Sequence, residues 1–231
     1  MATSTTFTFN LDISDIMEDA YERVGKEMLT GYDYKTARRS LDLLLLEWQN
    51  KGLNLWTIKN ASQTLTSGTG AYTLSAEKLD IVEGLLRTNA GDVSQQTDLS
   101  MKRISVSNYA RQTNKLTTGR PTQYWIQRAP GGITVHLWPV PDGTQSYVFN
   151  YYYIERIEDT GKPGSNTIDV PARYLPALTA GLAYYIGLKT PAVMAHIPVL
   201  KAVYDEQWDL ASDAAREKAS LFIKPGGYAH I

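Results

Sequence analysis

The spacing of apolar residues changes twice along this chain, and the changes set the order of its elements. In the first fifty or so residues apolar side chains recur every three or four positions, the period of a helix with one buried face. From about residue 53 to residue 157 this spacing gives way to runs rich in Thr, Tyr, Val, Ile and Trp, broken by glycines, which favour strands. Helical spacing then returns. The pattern predicts an α+β protein: a helical bundle formed by both chain ends, with an antiparallel β-domain inserted between its halves.

The first segment, residues 1–52, is predicted to form two antiparallel helices joined by a short connection. Asp12 is placed to cap the first helix and Asp33 the second, while Gly52 is a natural stop. The predicted buried stripes are Ile13, Ile16, Met17, Ala20 and Val24 in the first helix, and Ala37, Leu41, Leu44, Leu45 and Trp48 in the second.

The middle segment, residues 53–157, contains two hairpin signals. Ser67–Gly70 separates two short strand-like runs, and residues 129–132 separate two longer ones, so each is interpreted as a hairpin turn. A further strand is predicted from Tyr147 to Ile154, and a short helix around Ser105–Gln112. The polar stretch Thr113–Pro121 is predicted to be an exposed loop.

The last segment, residues 158–231, begins with a linker-like stretch, and Pro171 suits a first helical turn. One helix is predicted up to Thr190–Pro191 and a long one from about Pro198 to Leu221, which ends at Lys224–Gly227. The predicted stripes are Leu175, Leu178, Leu182, Tyr185 and Ile186 in the former, and Leu200, Val203, Tyr204, Ala211, Ala214 and Ala215 in the latter.

The residues that carry chemistry do not assemble into a recognisable catalytic or cofactor pattern. The chain has no cysteine, which excludes a disulfide framework, a cysteine-based zinc site and a thiol nucleophile. Its histidines, His136, His196 and His230, lack the spacing of a helical metal site, and no phosphate-binding or nucleophile-elbow motif is present. The acidic pairs fall on the polar faces of predicted helices. We therefore predict that the protein is not an enzyme, with no catalytic, metal or cofactor site.

Charge and hydropathy argue against nucleic-acid and membrane binding. The formal net charge is −1, from 23 basic and 24 acidic residues, without the basic surplus that grips phosphates. The longest apolar run, Leu43–Leu46, is far shorter than the ~20 residues of a membrane span. Residues 1–10 lack the features of a secretory signal. The protein is expected to be made in a cytoplasm and kept there or built into a particle assembled there.

A dense set of aromatic residues in the middle segment leaves two interpretations open. Tyr147, Phe149, Tyr151 and Tyr153 alternate, as the buried face of a strand requires, so a sheet core is the favoured reading. The alternative is a platform on which sugars or single-stranded bases stack, formed by these residues with Tyr152, Tyr124, Trp125 and Trp138.

Both helical segments resemble a family of phage proteins. The sequences DIMEDAYERVG at residues 15–25 and TARRSLDLLLLEWQNKG at residues 36–52 resemble the start of the podovirus head-to-tail adaptors, also called tail tubular protein A or tail accessory factors. The stretches VPARYL at residues 170–175 and LAYY at residues 182–185, followed by a long charged helix, are similar to the C-terminal half of that family. The resemblance covers about half of the chain and rests on organisation rather than on catalytic residues.

The resemblance implies a structural part of the virion at the head–tail junction. The expected assembly is a twelvefold homo-oligomeric ring between the portal protein and a nozzle similar to tail tubular protein B, around a channel through which genomic DNA passes without sequence-specific binding. Two contacts are expected within this frame: a portal-docking tail formed by Phe222, Ile223, Tyr228 and Ile231, and a loop that meets the nozzle or a neighbouring subunit, formed by Asn114, Lys115, Leu116, Thr117 and Thr118.

Three alternatives remain beside these expectations. Phe222 and Ile223 could pack on the protein's own bundle instead of the portal. The whole chain could be a glycan- or receptor-binding tail module that uses the aromatic-rich β-domain. A hydrolase with dispersed carboxylates ranks lowest.

Overall fold

The computed structural model describes residues 11–51, 55–161 and 168–215. Helices lie at both ends of this range and strands lie between them, which confirms the predicted α+β class. The helices are α1 (Ile13–Arg23), α2 (Gly31–Asn50), α3 (Val106–Ala110), α4 (Leu175–Gly187) and α5 (Ile197–Ala214). The strands are β1 (Ile58–Thr64), β2 (Ala71–Thr73), β3 (Lys78–Thr88), β4 (Thr97–Ser100), β5 (Lys102–Arg103), β6 (Thr118–Gly119), β7 (Gln123–Ala129), β8 (Gly132–Trp138), β9 (Val140–Pro141) and β10 (Tyr147–Glu155).

Helix α4 is the centre of the helical body, and α1, α2 and α5 pack around it. Small residues let its neighbours approach closely: a Cβ on Gly181 would lie 2.9 Å from Leu44 of α2 and 2.9 Å from Tyr204 of α5. The predicted hairpin of α1 and α2 is therefore a minor contact, because each of these helices packs chiefly on α4. The predicted stripes of α1 and α2 are fully buried.

The helix starts differ from the prediction in one respect. Thr30, not Asp33, is the N-cap of α2: the Thr30 hydroxyl accepts a hydrogen bond from the Asp33 backbone N–H, and the Asp33 carboxylate accepts one from the Thr30 backbone N–H. Asp33 is thus the third residue of a capping box, which satisfies two N–H groups at once. Asp12 is the N-cap residue of α1, although its side chain makes no capping hydrogen bond.

Fewer residues of the predicted α5 stripe are buried than was expected from the sequence. Tyr204 and Ala211 are buried, and Leu200 and Ala215 are half-buried. Val203, however, is 40% exposed and Ala214 is exposed, so the apolar arc of this helix extends beyond the part that α4 covers. The predicted break at Thr190–Pro191 is confirmed, since α4 ends at Gly187 and a 3₁₀ turn spans Pro191–His196. The helix stop at Gly52 and the stretch after residue 215 lie outside the described residues.

The β-domain contains two four-stranded sheets and a small two-stranded one. The first sheet has the order β1-β10-β3-β4, the second has the order β2-β8-β7-β5, and β6 pairs with β9. Most neighbours are antiparallel, but the short pairs β5–β7 and β6–β9 are parallel. Apolar side chains from both large sheets form one core, separate from that of the helical body.

The two hairpin predictions had different outcomes. Strands β7 and β8 form the predicted antiparallel hairpin, in which Ala129 pairs with Gly132 across the turn. The prediction at Ser67–Gly70 is wrong, because the strands on either side of it belong to different sheets: β1 pairs with β10, and β2 pairs with β8. This turn carries the chain from one sheet to the other. The predicted strand from Tyr147 and the short helix near Ser105 are confirmed as β10 and α3.

Candidate interaction surfaces

The two histidines that the structure describes, His136 and His196, lie in different elements. Nε2 of His136 lies 2.9 Å from Oε1 of Gln127, and burial lowers the pKa of this histidine. His196 is exposed at the end of a 3₁₀ turn, and His230 lies outside the described residues. Within the described ranges, no group of three or more His, Asp or Glu residues is placed to hold a metal ion.

The predicted aromatic row is core. Tyr147, Phe149, Tyr151 and Tyr153 of β10 are buried, and burial raises the pKa of Tyr151 to about 12. Tyr152 points to the other side of the sheet and is 43% exposed. Because the row packs inside the β-domain, its rings cannot offer their faces to a sugar or a base.

The predicted contact loop has an exposed tip on an anchored backbone. Leu116 is 82% exposed. Trp138 Nε1 donates a hydrogen bond to the carbonyl oxygen of Asn114, and the Val140 N–H donates one to that of Thr117. Thr118 pairs with Val140 in the short β6–β9 ladder. The backbone of the tip is therefore held in a defined position while the Leu116 side chain remains accessible to a partner.

The predicted docking tail cannot be placed. Phe222, Ile223, Tyr228 and Ile231 all lie outside the described residues.

A polar cluster joins α2, α4 and α5 on one side of the helical body. The hydroxyl of Tyr204 accepts hydrogen bonds from Trp48 Nε1 (2.9 Å) and Lys51 Nζ (2.8 Å), and donates one to Glu47 (3.0 Å). Tyr185 donates a hydrogen bond of 2.7 Å to the other oxygen of Glu47. The Lys51 ammonium also lies 2.9 Å from the Glu47 carboxylate, so each group in the cluster has a partner.

The pKa values in this cluster follow from its geometry. Burial alone would raise the pKa of Glu47, but hydrogen bonds from Tyr185, Lys51 and Tyr204, together with the Lys51 charge, outweigh it and lower the pKa. Burial and the Glu47 carboxylate raise the pKa of Tyr185 to about 12, and burial also raises that of Tyr204. The cluster is a structural tie between α2, α4 and α5, and the lowered pKa of Glu47 keeps its carboxylate ionised at neutral pH.

Helix α2 carries a second, outward stripe opposite its buried one. Its members recur at helical spacing: Tyr32, Lys35, Arg39, Leu43 and Leu46. Three of them are large and exposed, Tyr32 at 72%, Leu43 at 53% and Leu46 at 51%. We call these five residues the α2 surface.

Helix α5 also has an outward stripe at helical spacing. It consists of Val199, Val203, Glu206 and Leu210, with Val199 and Leu210 each 61% exposed. We call these four residues the α5 surface. Neither surface was predicted from the sequence, because only one buried stripe was assigned to each helix and Val203 was placed in the stripe of α5. The available signal was the second row of apolar residues on each helix.

Comparison with known families identifies the chain. The family model described as SU10 adaptor protein matches residues 12–221, that is 210 of the 231 residues. The chain belongs to the SU10 adaptor protein family. Comparison with curated proteins gave no match.

Membership in the SU10 adaptor family makes the chain a phage adaptor-type protein and a component of the virion. The match spans the helical body and the β-domain alike, so the β-domain is part of the adaptor. A structural adaptor family implies a non-enzymatic protein that interacts with other head or tail proteins. Among the described residues, no helix has the length and apolar character needed to cross a membrane.

Proposed function

We propose that this SU10 adaptor family member is a ring subunit that connects the portal to the tail nozzle of a short-tailed phage. Twelve copies surround the channel through which the genome leaves the head. The observation that carries the proposal is the family match over residues 12–221, which includes every helix and strand described above. It agrees with the resemblance of both helical segments to podovirus adaptors.

The physical character of the chain supports this role. A ring around moving DNA has to avoid gripping phosphates, and a formal net charge of −1 provides no strong attraction. The helical body supplies a rigid wall, because α4 is packed on all sides by other helices. The exposed apolar residues of α2 and α5 suit a protein that functions in an assembly rather than alone.

In this proposal each end of the subunit has its own partner. The segment with Phe222, Ile223, Tyr228 and Ile231 docks on the portal, and the loop Asn114–Thr118 meets the nozzle. A chain that ends at Lys224 tests the portal contact: it is expected to fold but no longer to bind portal rings. Normal binding by this shortened chain, which keeps Phe222 and Ile223, would remove residues 225–231 from the contact and overturn the docking tail proposed here.

The direct test of the whole proposal is electron microscopy of the full chain mixed with purified portal rings. The expected result is a second ring of twelve subunits on one face of the portal, with β-domains on the side away from it. A portal preparation that shows no added density at saturating protein would contradict the proposal.

A further inference from the structure

We propose that neighbouring copies of this chain join head to tail, with the α2 surface of one copy bound to the α5 surface of the next. The inference rests on the proposed ring and adds the residues that would hold it together. It is drawn from the shape, apolar content and charge of two surfaces whose large apolar side chains are each at least 40% exposed in a single copy.

The α2 surface is grooved and basic. One groove, of about 540 Å³, is lined by Tyr32, Arg39 and Leu43 together with Lys26 and Lys189. An adjoining groove of about 360 Å³ shares Tyr32 and Arg39 and adds Lys35 and Arg38. The aromatic and aliphatic side chains thus alternate with cationic ones along the helix. Such a surface fits a partner helix that has apolar residues beside carboxylates.

The α5 surface has that composition. Val199, Val203 and Leu210 supply the apolar row, and Glu206 lies within it. Asp209 follows on the adjacent exposed side of the helix. Its carboxylate extends the negative charge of Glu206 along one edge of the apolar row, so the two surfaces complement each other in charge as well as in apolar content.

Among the described residues, none of Lys35, Arg39, Glu206 and Asp209 forms an ion pair. The neighbouring acids of α2 are already engaged: Asp33 in the capping box and Asp42 with Thr160. The positive charges of Lys35 and Arg39 are therefore not neutralised by an ion pair with any described residue.

The two surfaces lie on different sides of the helical body. Trp208 marks the side of α5 nearest α2, because its ring lies 4.9 Å from that of Trp48. Val203 instead lines a groove with Arg23 of α1 and Ala183 of α4, so the α5 surface is on the side away from α2. Two different, complementary surfaces on one chain give a heterologous contact, which closes into a ring when the rotation between copies permits.

Cross-linking tests this arrangement without background, since the chain has no cysteine of its own. Leu46→Cys marks the α2 surface and Leu210→Cys the α5 surface, and a bismaleimide joins thiols that lie close together. The double variant is expected to give a ladder of multimers. Each single variant is expected to give no cross-link, and an equal mixture of the two single variants is expected to give dimers and nothing larger. Val93→Cys, at a β-domain site that is 99% exposed, controls for random collisions.

Several outcomes would overturn the contact. Dimers from either single variant would show that like surfaces meet. An absence of cross-links in every sample at the highest soluble concentration would show that the surfaces do not meet. A Leu210→Cys thiol that resists labelling in the monomer would show that the chain's own residues cover the α5 surface. None of these results affects the portal-binding test, so failure of this contact and failure of the proposed function are distinguishable.

Charge reversal provides an independent measurement. Arg39→Glu and Glu206→Arg are each expected to weaken self-association at low salt by about tenfold. A mixture of the two variants is expected to recover much of the loss, because the altered surfaces are again opposite in charge. Asp15→Arg, a matched reversal at an exposed position of α1, is expected to leave association unchanged. Equal weakening of self-association by all three reversals would show that the effect does not depend on which surface carries the altered charge, and would overturn the contact.

Discussion

At the scale of single residues, the helical body depends on a close approach at Gly181. A Cβ at this position would lie 2.9 Å from Tyr204 and 2.9 Å from Leu44, closer than ordinary contact. Both neighbours are fully or almost fully buried and have little room to move. The absence of a side chain at this position is what allows α2, α4 and α5 to meet.

Gly181→Ala is therefore expected to destabilise the protein even though alanine is the better helix former. Overpacking is expected to lower the free energy of unfolding by about 1–3 kcal/mol, and the better helix propensity of alanine to raise it by about 1 kcal/mol. The expected net loss of stability is about 1 kcal/mol. Urea unfolding measures the difference. Gly31→Ala is the matched control, since nothing lies within 4 Å of its Cβ position. A stability of Gly181→Ala equal to that of Gly31→Ala would contradict the packing argument.

The Glu47 cluster gives a prediction that depends on pH. Glu47→Gln is expected to cost about 1–2 kcal/mol at neutral pH, because charge-assisted hydrogen bonds from Tyr185 and Tyr204 are weakened. Since the folded protein lowers the pKa of Glu47, its contribution is present above the ordinary glutamate pKa and is lost as the pH falls through the lowered value.

The gap in unfolding free energy between wild type and Glu47→Gln should accordingly close on acidification. Urea unfolding at a series of pH values between ~7 and ~3 measures this gap. Glu18→Gln, at an exposed position of α1, is expected to stay within about 0.5 kcal/mol of wild type at neutral pH. A difference in unfolding free energy that remains constant across the acid range would show that ionisation of the Glu47 carboxylate does not cause it.

At the scale of elements, α2 is hydrogen-bonded to Thr160, which lies in the segment that leads from the β-domain back to the helical body. One carboxylate oxygen of Asp42 accepts hydrogen bonds from the Thr160 backbone N–H at 3.1 Å and from its hydroxyl at 2.8 Å. Arg38 donates a further hydrogen bond to the Thr160 hydroxyl. This arrangement fixes the direction in which the chain returns from β10 to the helical body.

Asp42→Ala is expected to loosen this return without unfolding the helical body. The Thr160 N–H loses its acceptor in a buried position, at a cost of about 1–3 kcal/mol. Hydrogen exchange should be faster at the Thr160 amide and unchanged in the centre of α4. Asp15→Ala is the matched control, and unchanged exchange at Thr160 in Asp42→Ala would show that the tie does not hold this segment.

The sequence predicted the elements well and their partners less well. The buried stripe of α1, from Ile13 to Val24, could be predicted from the sequence because the residues that face the core recur at the helical period. The turn chemistry of Ser67–Gly70 predicted a reversal but not that β1 and β2 would join different sheets, since partner choice depends on distant strands. The capping box of α2 was misassigned because Thr30 and Asp33 are both good caps by residue type.

The candidate surfaces were harder to predict than the core. An outward row such as Tyr32, Leu43 and Leu46 stands out once the inward row has been assigned with certainty. The apolar row of α5 was assigned to a single core-facing stripe, and the structure shows that α4 covers part of it. Which surface an apolar residue serves depends on the packing angle between helices, which spacing along one helix does not contain.

At the scale of the whole molecule, the loop Asn114–Thr118 is expected to act in assembly and not in folding. Leu116→Asp should leave the stability unchanged, because the side chain is 82% exposed, but should weaken binding of the nozzle protein. Val93→Asp is the matched control in the β3–β4 connection of the same domain, where the side chain is 99% exposed. Sedimentation of each variant with purified nozzle protein measures the effect. Nozzle binding by Leu116→Asp at the wild-type level would place the contact elsewhere.

The pairing of β1 with β10 has a consequence for how proteins of this design can diverge. Ile58 and Ile154 are direct neighbours in an antiparallel ladder, so the β-domain begins and ends at almost the same point in space. Trp56 and Ile157, just outside these positions, pack against the helical core and belong to the scaffold. A different β-module could be spliced between the two ends, or the module shortened to a turn, without moving α1, α2, α4 or α5. Selection could thus change the partner that binds the β-domain of an adaptor, while the α2 surface and the α5 surface, proposed to bind neighbouring copies, stay constant.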